Sequence, residues 1–185
     1  MSRAAIFLDR DGVINQDTGY VANRDDFVFI EGVVEALQLL KEKGYLLVVV
    51  TNQSGIARGL FSEADFMQLT EWMDWSLADK GIDLDGIYFC PHHPTAGTGP
   101  ETTTCDCRKP APGMLLEAIA DLTIEASTSY MVGDKVSDLQ AAQAAGVAHP
   151  ILVRTGKAIT PEGESLAEAI YPSLLEFAQN VPNVA

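Results

Sequence analysis

The sequence predicts an α/β protein in which helices cover both faces of a doubly wound, Rossmann-like parallel sheet, giving three layers. Apolar runs rich in Val and Ile and bounded by Gly, Asp or Asn recur along the chain: 4–8, 45–50, 86–90, 129–133 and 150–153. Continuous runs of this kind are typical of strands buried on both faces of a parallel sheet. Helical patterns lie between the runs, and strand alternating with helix indicates the doubly wound design.

Four connecting segments have apolar residues at helical spacing: 32–44, 62–81, 112–122 and 137–146. Gly44 and Gly146 are stop signals for the first and the last of them. Ser62 and Asp65 occupy the N-cap and N3 positions of a capping box, and Pro112 stands near a helix start. No repeat, low-complexity tract or charge run suggests a tail, apart from a short, weakly structured C-terminus.

The length of 185 residues suits a single domain, 1–185, and the composition of 47% hydrophobic and 21% charged residues is that of a globular chain. Two long polar stretches, 9–30 and 91–111, interrupt the alternation, and long loops inside a compact domain are usually functional. The runs at 4–8 and 45–50 are not followed by a large cap domain, so we expect an open site that a small molecule can enter.

The formal net charge of −14 disfavours nucleic acids and anionic membranes as partners. A few bases in one cleft could still bind an anionic substrate, and the bases of interest are Arg58, Arg108, Lys109 and Lys135. The first apolar run is too short for a secretion signal, and no stretch reaches the roughly 20 apolar residues of a membrane span. We therefore expect a cytoplasmic protein. It is expected to be a monomer, because no apolar stripe is left over.

Acidic and polar residues follow three of the apolar runs, at the edge where an open α/β sheet binds ligands. Asp9 and Asp11 follow the first run, Thr51 follows the second, and Asp134 follows the fourth. A carboxylate can attack phosphorus, and a second one can protonate the leaving alkoxide and then activate water. Asp9 and Asp11 suit these two roles, although a single Asp after a strand is often only a turn or cap residue. Acids that meet a phosphate also require a hard cation, which favours Mg²⁺.

Four stretches of the chain resemble the ordered motifs of the haloacid dehalogenase superfamily of phosphotransferases: DRDGVI (9–14), VVVTNQSG (48–55), CRKPAPGM (107–114) and MVGDKVSD (131–138). The resemblance spans Ala4 to about Gly146 and implies the haloacid dehalogenase-like fold. It makes Asp9 the nucleophile and Asp11 the general acid and base. It further implies that Thr51 and Lys109 surround the transferred phosphoryl group. Mg²⁺ would bind the side chains of Asp9 and Asp134 and the backbone carbonyl of Asp11.

The three cysteines lie in one loop, about 90–108, where a C-x-H pair meets a C-x-C pair. Three thiolates and one imidazole suit a closed, structural zinc site. A Cys105–Cys107 disulfide and exposed thiols are the alternatives. Both His92 and His93 are available, and the family resemblance favours His92, so the predicted zinc ligands are Cys90, His92, Cys105 and Cys107. A metal here would hold the following bases at the mouth of the cleft.

Within the superfamily, three longer stretches resemble the D-glycero-D-manno-heptose 1,7-bisphosphate phosphatase family: 51–59, 72–94 and 105–114. This resemblance implies Mg²⁺-dependent removal of the 7-phosphate from a small sugar bisphosphate, in the biosynthesis of activated heptose for lipopolysaccharide or related glycans. Arg108 would bind the remaining phosphate. Histidinol-phosphate phosphatase of histidine biosynthesis is the alternative, and a zinc-stabilised binding module without catalysis is a third hypothesis.

The same resemblance carries further substrate contacts over by position. Asp17 and Tyr20 could equally be loop-packing residues, and Lys135 could pair with Asp134 or Asp138. Arg58, which could be solvated, is not included. The predicted substrate-binding residues are Asp17, Thr18, Gly19, Tyr20, Thr51, Asn52, Gln53, Ser54, Arg108, Lys109 and Lys135.

Overall fold

A computed structural model describes residues 1–185 and contains one six-stranded sheet in which every pairing is parallel. The strands are β1 (Ala5–Leu8), β2 (Leu46–Asn52), β3 (Gly86–Cys90), β4 (Tyr130–Gly133), β5 (His149–Val153) and β6 (Ala169–Tyr171). Their order across the sheet is β3-β2-β1-β4-β5-β6. The chain therefore runs outwards from β1 to β3 and returns to the other side of β1 at β4. This reversal is the topological switch point where open α/β sheets bind ligands.

Six helices cover the sheet: α1 (Val33–Glu42), α2 (Glu63–Ala78), α3 (Gly113–Leu122), α4 (Val136–Ala145), α5 (Pro161–Leu166) and α6 (Leu174–Asn180). Successive side chains of a strand point to opposite faces. In β1, Ile6 and Leu8 join one core with α1, α2 and α6, while Ala5 and Phe7 join the other with α3 and α4. The predicted three-layer architecture and the predicted helices and strands are confirmed.

The helix ends follow the local sequence signals. Ser62 accepts a hydrogen bond from the N–H of Asp65, and the Asp65 side chain accepts one from the N–H of Ser62, which completes the predicted capping box. Gly146 ends α4 with a φ of 79°, a conformation that costs glycine little.

The weakly structured C-terminus is limited to residues 181–185, and the two elements before it were not predicted. Residues 169–180 form the edge strand β6 and the helix α6, whose side chains Leu174 and Phe177 are fully buried beside α1. Lys43, just after α1, donates hydrogen bonds to the carbonyls of Ala178 and Val181 at 2.6 and 2.7 Å. Both elements are short, so their periodicity is weak, and burial against α1 stabilises them.

The stretches 9–30 and 91–111 contain isolated bridges and turns but no helix or strand of their own, and no cap domain follows β1 or β2. Both stretches lie at the carboxyl edge of the sheet, where they surround the switch point. None of the helices is long and apolar enough to span a bilayer.

Candidate active site

Three neighbouring strands bring the predicted catalytic residues to one point. Leu8 of β1 pairs with Val49 on one side and with Val132 on the other. Parallel strands in this register end together, so Asp9, Thr51 and Asp134 meet at the carboxyl ends of β1, β2 and β4. All three are buried, at 3%, 1% and 1% exposure. They form the floor of the site.

The carboxylate of Asp9 is held in its ionised form. Its Oδ1 accepts a hydrogen bond from the N–H of Arg10 at 2.8 Å and lies 3.2 Å from Nζ of Lys109. Burial opposes ionisation, but the charges of Lys109 and Lys135 outweigh it and lower the pKa of Asp9 below its ordinary value. Oδ2 makes no hydrogen bond within the protein and is free to react. This geometry suits a nucleophile.

The buried ammonium group of Lys109 joins three elements. It lies 2.6 Å from Oδ1 of Asp138 and donates to the carbonyl of Val50 at 2.9 Å, in addition to its contact with Asp9. Burial by itself would lower the pKa of Lys109, but the two carboxylates raise it above its ordinary value. Lys109 therefore stays cationic beside the nucleophile, where it can stabilise charge on a transferred phosphoryl group.

The residues around Asp134 fit a hard cation. Carboxylate oxygens of Asp9, Asp134 and Asp138 lie within 4.8 Å of one another. Burial and the two neighbouring carboxylates raise the pKa of Asp134 to about 7, and its Oδ1 is buried without a hydrogen-bond partner. Gly12, at φ +88°, packs so tightly against Oδ2 that a Cβ would not fit. A divalent cation would pair with the unpartnered oxygen and relieve the repulsion.

Asp138 was not among the predicted site residues, and its place in the structure is specific. Its Oδ2 accepts hydrogen bonds from the N–H groups of Asp134 and Lys135 at 3.1 and 3.2 Å, while Oδ1 binds Lys109. Both oxygens are thus used to hold the floor of the site. The signal that could have found it is MVGDKVSD, which places Asp138 one helical turn after Asp134.

Asp11 lies at the cavity wall and is fixed by three side chains. Its Oδ1 accepts hydrogen bonds from Arg10 and Asn15, both at 2.9 Å, and its Oδ2 accepts from Arg10 and Gln53 at 3.1 and 3.2 Å. The backbone carbonyl of Asp11 accepts no hydrogen bond within the protein, which leaves it available to a metal ion. Sequence reasoning missed Arg10, because a charged residue in a loop is normally solvated.

Above this floor lies a polar cavity of about 510 Å³, and only one of its 15 lining residues is hydrophobic. Its two acids are Asp11 and Asp17, and its five bases are Arg58, Arg108, Lys109, Lys135 and Lys157. The expected local excess of positive charge is therefore present in a protein of net charge −14. Lys157 was not predicted, and it lies 3.3 Å from Asp17 across the cavity mouth. The cavity suits a small anion.

Most of the predicted substrate contacts line this cavity: Asp17, Gly19, Tyr20, Asn52, Gln53, Ser54, Arg108, Lys109 and Lys135. Thr18 does not line it, and Thr51 lies below it, where its hydroxyl accepts a hydrogen bond from Gln53 at 2.9 Å. Lys135 makes no ion pair with either neighbouring acid, and the residue lines the cavity.

Two lining residues also hold the site together. The Asn52 side chain exchanges two hydrogen bonds with the backbone of Lys109, at 3.0 and 3.1 Å. The guanidinium of Arg58 lies 5.6 Å from the ring centre of Tyr20, a cation–π contact between the loops after β2 and β1.

The cysteine loop brings the four predicted zinc ligands together. Cys90, His92, Cys105 and Cys107 place their ligand atoms within 4.8 Å of one another. Nδ1 of His92 lies 3.6 Å from Sγ of Cys90 and 3.3 Å from Sγ of Cys107. Three sulfurs and one imidazole nitrogen around a common point fit a tetrahedral zinc ion.

The alternatives for this loop fit less well. The sulfurs of Cys105 and Cys107 lie 3.4 Å apart, too far for a disulfide, and all three cysteines are free. Nδ1 of His93 accepts hydrogen bonds from the N–H groups of Thr95 and Ala96. This nitrogen is therefore used to stabilise the turn that follows His93. Nη1 of Arg108 is 3.5 Å from the carbonyl of His92, which connects the cluster to the cavity.

The chain is similar to known phosphatases over almost its whole length. A family model described as HAD-hydrolase-like matches residues 106–177. The D-glycero-beta-D-manno-heptose-1,7-bisphosphate 7-phosphatase of Yersinia pestis is 58% identical over 177 residues, which cover 96% of this chain and 94% of that protein. The protein of the same name from Escherichia coli (strain K12) is 60% identical over 177 residues, covering 96% and 93%.

A solved structure supports the same relationship. The D,D-heptose 1,7-bisphosphate phosphatase from B. bronchiseptica, complexed with magnesium and phosphate, matches with a TM-score of 0.79 and 34% identity and covers 95% of this chain and 96% of that one. The chain therefore belongs to the D-glycero-beta-D-manno-heptose-1,7-bisphosphate 7-phosphatase family of haloacid dehalogenase-like hydrolases.

Proposed function

We propose that the protein removes the 7-phosphate of D-glycero-β-D-manno-heptose 1,7-bisphosphate and leaves heptose 1-phosphate. The observation that carries this proposal is the identity of about 60% over nearly the whole chain to enzymes named for that reaction. The polar, cationic cavity above Asp9 supports it, because a bisphosphate needs positive charge at two places. The relatives' names specify the β anomer, which we adopt for this chain.

The first half of the reaction forms an aspartyl-phosphate. The free Oδ2 of Asp9 attacks the phosphorus of the 7-phosphate, and the bond between phosphorus and the sugar oxygen breaks. The electron pair of that bond passes to the sugar oxygen, which takes a proton from the carboxyl group of Asp11. Lys109, held beside Asp9, stabilises negative charge on the phosphoryl oxygens. Thr51 is assigned to the same group of donors.

The second half regenerates the enzyme. Asp11, now a carboxylate, takes a proton from water, and the water oxygen attacks phosphorus. The phosphorus–oxygen bond to Asp9 breaks, and its electron pair returns to the carboxylate. Mg²⁺, held by the side chains of Asp9 and Asp134 and the carbonyl of Asp11, would neutralise phosphate charge when bound. Asp138 fixes the loop that carries Asp134.

The 1-phosphate is assigned to the basic wall of the cavity. Arg108 can bind a phosphate through two parallel hydrogen bonds. Cys107, the last residue of the cysteine cluster, directly precedes Arg108. We therefore propose that a structural zinc fixes the Arg108 guanidinium in place. Its ligands would be Cys90, His92, Cys105 and Cys107. Tyr20 and the other lining residues would contact the sugar between the two phosphates.

We further propose that the chain acts as a single domain, 1–185, and as a cytoplasmic monomer. It would work in the biosynthesis of activated heptose for lipopolysaccharide or a related glycan. One core extends from the first strand to α6, and the other packs against the opposite face of the same sheet, which supports one folding unit. Mass measurement of the purified protein in solution would test the oligomeric state.

The test is phosphate release from both anomers of heptose 1,7-bisphosphate and from histidinol phosphate, with Mg²⁺ and with a chelator. We expect the β-bisphosphate to have the highest kcat/KM by orders of magnitude, and only with Mg²⁺. A preference for histidinol phosphate would overturn the substrate assignment and leave the chemistry intact. Asp9→Asn is expected to fold and to release no phosphate. Unchanged turnover in that variant would overturn the nucleophile assignment.

A further inference from the structure

We propose that Arg10 is a positioning residue, which aims the carboxyl group of Asp11 at the oxygen of the leaving group. The proposal deepens the function proposed above and rests on it for the assignment of Asp11 as the proton donor. It concerns the side chain between the two acids, which lies outside the cavity and cannot touch the substrate.

Arg10 is buried in a way that packing by itself does not explain. Only 2% of it is exposed, and its guanidinium lies between two rings, 5.9 Å from the centre of Phe27 and 5.8 Å from that of Phe66. Its Nη1 is buried and has no hydrogen-bond partner. Burying a charge with one donor unsatisfied is costly, and an apolar side chain would fill the same space at lower cost. Because burying this guanidinium is costly, its charge and planar shape must have a role in the site.

The hydrogen bonds of Arg10 show what that role is. Nε and Nη2 donate to Oδ1 of Asp11 at 3.2 and 2.9 Å, and Nη2 also reaches Oδ2 at 3.1 Å. A planar fork of this kind fixes the plane of a carboxylate as well as its position. Nη2 donates in addition to the carbonyl of Val21 at 3.0 Å, which ties the fork to the loop after β1.

The partners of the two oxygens give the carboxylate a direction. Oδ1 is bonded to Asn15, which is fully buried, whereas Oδ2 is bonded to Gln53, which lines the cavity. Oδ2 is therefore the oxygen on the substrate side. Asp11 must deliver its proton to the sugar oxygen as the phosphorus–oxygen bond breaks, and misplacement by about 1 Å would slow such a transfer strongly. Arg10 prevents rotation away from that position.

The test compares two substrates that differ in their need for a proton. An alkyl phosphate such as the heptose bisphosphate releases a basic alkoxide, which needs a proton as it leaves. p-Nitrophenyl phosphate releases a stable phenolate, which leaves without being protonated. For both, kcat/KM reports the steps up to formation of the aspartyl-phosphate. We expect Arg10→Met to lower kcat/KM about 30- to 100-fold for the alkyl phosphate and less than about threefold for p-nitrophenyl phosphate. Asp11→Asn should show the same selectivity.

Two further variants separate positioning from packing. In the double variant Arg10→Met/Asp11→Asn, the alkyl activity should equal that of Asp11→Asn within about threefold, because the two residues act as a unit. Leu77→Val changes a buried side chain of α2 about three turns from Phe66, away from Arg10 and Asp11, and its losses should be equal for the two substrates. If Arg10→Met fails to fold, Arg10→Lys takes its place in the test. Lys retains the charge without the planar fork, so it should show a smaller loss that is still confined to the alkyl phosphate.

The proposal is overturned if the Arg10 variants lose activity equally on both substrates, or if the single losses multiply in the double variant. Failure of the proposed function would appear separately, as absence of wild-type activity on the heptose bisphosphate. In that case histidinol phosphate or another hydrolysed alkyl phosphate serves in the same comparison, and the substrate selectivity of the Arg10 variants still decides the matter.

Discussion

Nζ of Lys109 lies 2.6 Å from Oδ1 of Asp138, and both side chains are fully buried. The two residues are 29 positions apart, on the loop before α3 and on the first turn of α4. Because the same ammonium group also reaches Asp9, this ion pair connects the nucleophile to the segment that carries Asp134. The floor of the site is therefore one network of charges, and disturbing any member should affect the others.

Asp138→Asn should lower both stability and turnover. The change leaves the buried ammonium of Lys109 with one carboxylate, and breaking a buried ion pair typically costs about 3 kcal/mol or more. We expect a clear fall in Tm and a fall in kcat of about 100-fold. Asp121→Asn, which alters an exposed acid bonded to Tyr88, is the matched control. Equal behaviour of the two variants would show that Asp138 does not support the site.

Binding of Mg²⁺ should stabilise the protein more strongly as pH rises from 6 to 8. The pKa of Asp134 is raised from 3.8 to about 7, so in the metal-free protein this group favours folding at low pH. The stability that protonated Asp134 contributes is lost as pH rises through 7. Above that pH the Asp134 carboxylate is ionised and can bind the cation. The measurement is Tm with and without Mg²⁺ across this range. Asp134→Asn should abolish the pH-dependent part, and an unchanged pH dependence in that variant would refute the assignment.

His92→Ala should lose zinc, and His93→Ala should retain it. Nδ1 of His92 faces the cysteine sulfurs, whereas Nδ1 of His93 accepts two backbone hydrogen bonds. We expect metal analysis to find one zinc per chain in the wild type and in His93→Ala. Loss of zinc should lower Tm and also kcat/KM, because the loop leads directly into the basic wall of the cavity. Zinc retained in His92→Ala and lost in His93→Ala would reverse the ligand assignment.

Arg108→Ala should weaken activity on the bisphosphate selectively. Hydrogen bonds to a charged group contribute about 1.5–3 kcal/mol, which corresponds to a loss of about 10- to 100-fold in kcat/KM. Activity on a monophosphate that lacks the second anion should change little. Arg3→Ala, at the opposite edge of the sheet, controls for the change in net charge. Equal losses on both kinds of substrate would mean that Arg108 acts on the transferred phosphate instead.

Much of the site could be predicted because parallel strands end together. Once the apolar runs are assigned to strands, Asp9, Thr51 and Asp134 are expected at the same carboxyl edge, and the strand order β2-β1-β4 places them side by side there. The bases of the cavity were found in the same way, from their positions just after strands or after the cysteine loop. Lys157 was missed, because it follows β5 in a stretch without a recognisable motif.

Local periodicity and spacing are sufficient to predict the parallel sheet, its two apolar faces, the family motifs and the clustering of the three cysteines with a histidine. The partners of the buried charges, in contrast, depend on contacts between residues that are distant in the sequence. In the sequence, Arg10 has the features of a solvated loop residue, but in the fold Phe27 and Phe66 enclose it. Asp138 has the features of an ordinary acid in the first turn of a helix, but in the fold it pairs with Lys109. The same holds for α6, whose short apolar pattern becomes a helix through burial against α1. Long-range packing sets the surroundings of a charge, and one local stretch of sequence does not contain that information.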